Sequence, residues 1–412
     1  MNLKTITLGL FSAITACLAL WSLLPAELEL ARKVPAFFAT ISMFSMALAI
    51  FLSCRPKWIE RFIGGMDKAY IWHKWLGIFG LLGASFHWML VPGPAGNGID
   101  PIIAEVGEES GQWAMYGLLL LGGVSMVKQI PYRIWYYTHK LMGPIFLVSI
   151  YHTFFSDVPF EVGTKTGVAL VVVSLIGCIS WIYKMVLKPR GYCQYRVSES
   201  VQLDDTIEVH LTPIEKGIQY QAGQFAYLDF GYDKIEHFHP FTIASEPNED
   251  HLTFVIRKLG RHTNELYERV KPGDIVTVDG AYGQLHARKS LQQPQIWIAG
   301  GIGITPFLAW IKSLKGEHPP VHLFYVGRGK LYTQILSKLD QLLPTSQVTL
   351  YTQTEIGELL NGKFIRQQLQ SELHNHQVFA CGPKKMMNDL KIQLLSLGLP
   401  ATQWHNENFA MR

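Results

Sequence analysis

Six separated apolar runs fill the first 190 positions, and no other feature constrains the fold of this chain as strongly. A helix needs about 20 apolar residues to cross the hydrocarbon core of a bilayer. Runs of roughly that length fall at residues 5–24, 34–53, 69–91, 112–127, 134–155 and 166–183. The first, second and sixth hold no charged residue, the fourth is the shortest, and the third and fifth carry one lysine each, Lys74 and Lys140. No small-residue cleavage site follows the first run, so it reads as a helix rather than a signal peptide. From residue 191 onward the composition is that of a soluble protein. The charged share of the whole chain is 17%, below the usual value of about 25%, and the shortfall lies in the first half. A six-helix transmembrane bundle followed by soluble domains is therefore expected. A formal net charge of +4 is too mild to imply nucleic acid, and five cysteines without a CxxC pair argue against a disulfide framework or a zinc site.

Basic residues in short loops mark the cytoplasmic side of a membrane protein. Arg55, Lys57, Arg61 and Lys68 follow the second run, Lys128 and Arg133 separate the fourth from the fifth, and Lys184, Lys188 and Arg190 follow the sixth. The stretch between the third and fourth runs holds Asp100, Glu105, Glu108 and Glu109 and no base. Both termini and the soluble half are thus expected in the cytoplasm.

The first 190 residues contain four histidines, and all four fall in two of the runs: His73 and His87 in the third, His139 and His152 in the fifth. Ionisable residues at membrane depth are costly and point to function. A single such histidine can simply bond a neighbouring helix; two matched pairs suit the axial ligation of two haems. The third and fifth runs cross in the same direction, so His73 and His139 belong near the inner end and His87 and His152 near the outer end. Separations of 14 and 13 residues span about 20 Å along a helix. At about 100° per residue, 14 returns His87 to the face of His73, whereas 13 leaves His139 and His152 about 140° apart on a straight helix. Gly143 and Pro144 lie between them, where a kink would correct the angle.

Beyond residue 191, short alternating β-rich runs at 207–211, 225–230 and 252–257, with turn signals such as Lys271–Pro272–Gly273–Asp274, predict an antiparallel β-barrel. A strand at 296–299 then runs into Gly300–Gly301–Ile302–Gly303–Ile304–Thr305–Pro306 and a helix, the arrangement that seats a dinucleotide phosphate. Alternating strands and helices follow, predicting a doubly wound α/β domain. The expected boundaries are 1–190, 191–290 and 291–412.

The run His239–Pro240–Phe241–Thr242 after Gly223–Gln224–Phe225 resembles the flavin-binding strand of the ferredoxin–NADP reductase superfamily. It is most similar to the version in NADPH oxidases and ferric reductases. With the four histidines, the resemblance extends along nearly the whole chain to a compact prokaryotic-type NADPH oxidase, a transmembrane flavocytochrome b. It implies that His239, Pro240, Phe241 and Thr242 line the flavin and that Val255, Ile256 and Arg257 lie on the adjacent strand. Gly260, His262 and Thr263 would form the FAD diphosphate loop. The glycine loop with Thr305 and Pro306 resembles the family's NADPH site, and Cys381–Gly382–Pro383 would place a cysteine near the nicotinamide. At the carboxyl terminus Phe409 would cover the flavin and Glu407 would stand by the nicotinamide. The second strand of the α/β domain ends in Gly327–Arg328–Gly329–Lys330 with no acid, which favours NADPH over NADH. The function implied is transfer of electrons from cytoplasmic NADPH through FAD and two b-type haems to an acceptor across the membrane of a bacterium. Oxygen reduced to superoxide is the first expectation and a ferric chelate the second. A membrane subunit serving a partner protein is a third, although nothing in the sequence requires such a partner.

Overall fold

The computed structural model describes residues 14–92, 100–156, 160–186, 192–232, 238–285, 293–314, 318–343, 348–357 and 359–406. The chain divides into two compact units, one comprising Met1–Ile59 with Lys68–Pro189 and the other Glu60–Asp67 with Arg190–Arg412.

The first unit is helical. The helices up to residue 186 are α1 (Ile14–Leu23), α2 (Leu30–Ser53), α3 (Lys57–Ile63), α4 (Met66–Leu90), α5 (Pro101–Met126), α6 (Tyr132–Lys140), α7 (Met142–Phe155) and α8 (Lys165–Val186), of which α3 from Glu60 on and the first two residues of α4 belong to the second unit. Among the described residues, α2 and Lys165–Met185 of α8 are long and apolar enough, by length and composition, to cross a membrane. The expectation of six spans thus reduces to two helices that meet this measure. Beneath α2, Met43 and Ala47 form a buried cluster with Phe146 of α7 and with Leu170 and Val173 of α8.

Two local features depart from the expected helices. First, α5 begins at Pro101, well before the expected start at residue 112. Asp100 caps it, accepting from the N–H groups of Ile102 and Ile103 at 2.9 and 3.4 Å. A side-chain oxygen at the N-cap and a proline at the first helical position both favour initiation. Glu105, Glu108 and Glu109 therefore stand on a helix and not in a loop. Second, the fifth apolar run is two helices, α6 and α7, interrupted at Leu141. Pro144 has no N–H for the carbonyl of Lys140, and its ring crowds that carbonyl. The first helix accordingly ends at Lys140, and Pro144 is accommodated in the first turn of the next.

The second unit begins with a six-stranded antiparallel sheet in the order β4-β3-β6-β1-β2-β5. Its strands are β1 (Cys193–Leu203), β2 (Thr206–Pro213), β3 (Phe225–Asp229), β4 (His239–Thr242), β5 (Leu252–Arg257) and β6 (Ile275–Tyr282), with α9 (Arg261–Arg269) between the last two. A bridge from Ile243 to Phe254 joins the two ends of the sheet and closes it as a barrel. Alternation in β5 sends Leu252, Phe254 and Ile256 into the barrel core and turns Thr253, Val255 and Arg257 outward.

The remainder is a five-stranded parallel sheet, β11-β10-β7-β8-β9, with flanking helices. Its strands are β7 (Gln295–Gly300), β8 (Val321–Val326), β9 (Val348–Tyr351), β10 (Gln377–Cys381) and β11 (Trp404–Asn406). The helices are α10 (Thr305–Ser313), α11 (Gly329–Leu342), α12 (Gln353–Ile356), α13 (Gly362–Gln368) and α14 (Lys384–Ser396). Every residue of β7 is buried, as a central parallel strand covered on both faces requires. Barrel and α/β domain share one core, in which Ala222, Ala244 and Val255 lie with Trp310, Tyr325 and Cys381. At this seam Trp310 Nε1 donates to the carbonyl of Ala222 at 2.7 Å. Gly223, at φ +94°, lies so close that a Cβ would stand 2.2 Å from the same indole nitrogen. Within this unit the buried carboxylate of Glu60 accepts the N–H of Gly283 at 2.7 Å.

Candidate functional site

The four histidines of the helical unit come together as the sequence pairs them. The ring centroids of His73 and His139 are 6.0 Å apart, and those of His87 and His152 are also 6.0 Å apart. The break at Leu141 supplies the rotation that a continuous helix lacks, so that both members of the fifth run meet partners on α4. Each ring is also oriented from behind. Nδ1 of His73 donates to the carbonyl of Ala49 at 2.8 Å, Nδ1 of His87 to that of Pro35 at 3.1 Å, and Nδ1 of His152 to that of Gly107 at 3.0 Å. A carbonyl only accepts, so these three Nδ1 atoms carry the proton and Nε2 keeps its lone pair. Nδ1 of His139 faces Ser125 Oγ at 3.2 Å. This is the outer-shell arrangement of metal-bound imidazole.

Glycines make these contacts reachable. A Cβ at Gly107 would stand 2.0 Å from the carbonyl oxygen of Phe155, and one at Gly111 would stand 2.5 Å from Nδ1 of His152. Gly77, one turn beyond His73 on the same face, has nothing within 4 Å of where a Cβ would be. Among the described residues no group of three or more His, Cys, Asp or Glu could hold a metal ion. The donor set fits axial ligation of haem, which needs two imidazoles per iron and takes its other ligands from the macrocycle.

In the barrel, β4 pairs with β3 so that Thr242, Phe241, Pro240 and His239 oppose Phe225, Ala226, Tyr227 and Leu228. All four residues of β4 are half-buried. His239 stacks on His262 with centroids 3.5 Å apart, bringing the expected flavin strand against the expected diphosphate loop. The Thr263 hydroxyl accepts the N–H groups of Leu259 and Gly260 at 2.9 and 3.1 Å and so shapes the turn into α9. Gly260 is extended, in a conformation any residue adopts, and what it leaves is open space at a helix N-terminus. Arg257 closes the strand with its Nε bonded to Asp205 at 2.7 Å.

In the α/β domain the strand order reverses between β7 and β10, and ligands of such sheets bind at the carboxyl ends of strands at that switch point. Gly300 ends β7 there and Gly301 and Gly303 follow it, while Cys381 ends β10 and Gly382 and Pro383 follow it. The two turns touch: a Cβ at Gly303 would be 2.3 Å from the carbonyl oxygen of Cys381, and one at Gly300 would be 2.7 Å from Cδ of Pro383. Thr305 donates to the carbonyl of Ile302, and Pro306 occupies the first turn of α10. Val255 and Cys381 share the same core. Arg328 is exposed at the end of β8, beside Gly329 at φ +78°. None of the five cysteines is in a disulfide. Glu407 and Phe409 lie outside the described residues.

Sequence reasoning missed the carbonyls behind the histidines, because a backbone acceptor leaves no mark on residue identity. Ser125 and Trp310 were also missed, and each is unremarkable in a helix until its partner is known.

Three family models match consecutive stretches: a ferric reductase like transmembrane component at residues 38–150, an FAD-binding domain at 194–304 and an oxidoreductase NAD-binding domain at 297–391. Among curated relatives, the phenol hydroxylase P5 protein of Acinetobacter pittii is 27% identical over 52% of this chain and 65% of its own length. A flavohemoprotein of Xylella fastidiosa is 24% identical over 55% of this chain and 61% of its own. Flavohemoprotein A of Dictyostelium discoideum is 26% identical over 40% and 45%. The chain thus spans about half to two thirds of the length of these relatives. A flavohemoglobin structure from Malassezia yamatoensis aligns over 92% of this chain and 97% of its own at 17% identity, with a TM-score of 0.49. By its matches the chain joins a stretch similar to a ferric reductase like transmembrane component to an FAD-binding and an NAD-binding domain of oxidoreductase type.

Proposed function

We propose that the chain carries electrons from cytoplasmic NADPH, by way of FAD and two b-type haems, to a one-electron acceptor on the far side of the membrane, with oxygen reduced to superoxide. The observation that carries this reading is the pair of histidine pairs, each 6.0 Å across, with every Nδ1 held from behind. When bound, FAD would accept one hydride, two electrons at once, and release them singly, which suits haem iron; the protein supplies position and electrostatics.

His73 and His139 would hold the inner haem and His87 and His152 the outer. His239 to Thr242 would line the flavin, with Val255 beside it and the turn from Arg257 through Gly260, His262 and Thr263 at the diphosphate. Gly300 to Pro306 would seat the NADPH diphosphate, Arg328 would meet the 2′-phosphate and Cys381 would flank the nicotinamide. Phe409 would cover the flavin and Glu407 stand by the nicotinamide. If each iron is held by two of these histidines, the acceptor would take its electron without binding the metal. One NADPH then reduces two oxygen molecules and releases one proton.

A second reading, reduction of a ferric chelate by the same route, is favoured by the transmembrane match at residues 38–150. The test is to purify the chain in detergent with FAD, add NADPH in air, and follow cytochrome c reduction with and without superoxide dismutase. Dismutase-sensitive reduction is expected. Haem reduction with slow oxygen consumption and fast reduction of ferric chelates would replace the first reading by the second. Failure of NADPH to reduce any haem would sink both.

A further inference from the structure

Three of the four histidines are oriented by backbone. Ala49, Pro35 and Gly107 offer carbonyl oxygens to His73, His87 and His152, and no side-chain substitution removes a backbone carbonyl. His139 differs, because its Nδ1 meets the hydroxyl of Ser125 at 3.2 Å. That hydroxyl donates its own hydrogen to the carbonyl of Leu121 at 2.8 Å, one turn back on α5. Its lone pair is thereby turned to Nδ1, which must be the donor. Trp135 stacks on the same imidazole at 5.1 Å and 21° and holds its plane.

An imidazole that gives its Nδ1 hydrogen to an acceptor becomes a more basic ligand, and outer-shell bonds of this kind tune the metal's potential. A hydroxyl already engaged as a donor is a modest acceptor beside a peptide carbonyl. Among the four contacts, the one at Ser125 is thus the one a side chain sets. We propose that Ser125 is a positioning residue that tunes the redox potential of the haem held by His73 and His139 and leaves the other haem alone. The inference rests on reading these histidines as haem ligands. Removing the acceptor makes His139 less basic, destabilises ferric iron relative to ferrous and raises the potential of that haem.

The experiment is optical redox titration and low-spin ferric electron paramagnetic resonance of the full-length protein, with haem counted by pyridine haemochrome. In Ser125→Ala one of the two haem components should move to higher potential and its resonance should shift, while the other component stays in place. Ser125→Thr, which keeps the hydroxyl, should match the parent. If Ser125→Ala does not retain two haems, Ser125→Cys decides: its thiol is a weaker acceptor and should shift the same component upward by less. Unchanged potentials and resonances in a variant with full haem content would overturn the proposal, as would both components moving together. The haem reading itself fails separately, and first, if the parent contains no haem or if His139→Ala loses none.

Discussion

Glu208 shows what one carboxylate contributes to the second unit. It sits on β2 opposite Val255, so its side chain leaves the barrel on the face that meets the α/β domain. There it accepts from Lys338 of α11, and Nε2 of His210 lies 3.4 Å away. Burial pushes its pKa up, but bonds and charge from His210 and Lys338 outweigh that and hold it down at about 2. A carboxyl depressed in the folded state stabilises the fold above its unfolded pKa, near 4.5, and that contribution fades as pH falls toward 2. Glu208→Gln should therefore lower stability at pH 7 by on the order of 1–2 kcal/mol, and the gap from the parent should narrow below pH 4.5. Denaturant midpoints of the purified chain at pH 7, 5 and 3.5 measure it. A gap that persists undiminished at pH 3.5 would show that the charge of Glu208 is not its source.

At the scale of elements, the join between α6 and α7 decides whether two histidines 13 residues apart can serve one partner helix. Pro144→Ala restores the missing N–H and relieves the clash with the Lys140 carbonyl, so the two helices should fuse. His139 and His152 would then point about 140° apart, and one pair would open. The expected outcome is loss of about half the haem by pyridine haemochrome, with α4 and its histidines unaltered; full haem in a folded variant would refute this role of the break. Much of this was legible beforehand. Hydropathy marked apolar stretches that are helical, though two of the expected six spans meet the measure among the described residues; the histidine spacing exposed the phase problem, and Gly143–Pro144 marked its place. The break itself fell at Leu141, because a proline disturbs the carbonyl four residues before it. The start of α5 was misjudged by eleven residues, since Glu105, Glu108 and Glu109 looked like loop while Asp100 and Pro101 made a strong start signal. In the second unit, glycine turns and the Cys381–Gly382–Pro383 run were legible because they are local. The seam from Gly223 to Trp310 joins residues far apart in sequence and left no local trace.

For the molecule as a whole, the charge pattern predicts an orientation. Arg55, Lys57, Lys68, Lys128, Arg133 and Lys184 fall after even-numbered apolar runs, whereas Asp100, Glu105, Glu108 and Glu109 cluster at the opposite end of α5. Basic loops stay in the cytoplasm, so on the proposed reading the NAD-binding domain should face inward and His87 and His152 outward. NADPH does not cross a sealed bilayer, which makes the prediction directional. Inside-out vesicles carrying the chain should oxidise added NADPH, and right-side-out vesicles should not until detergent opens them. With the second preparation, NADPH trapped inside should drive reduction of cytochrome c added outside, and a His87→Ala variant should abolish that reduction while NADPH can still reduce the inner haem. Oxidation of external NADPH by intact right-side-out vesicles would reverse the orientation. If His87→Ala left external reduction intact, electrons would be leaving by a route that bypasses the outer pair, and the transmembrane path would have to be redrawn.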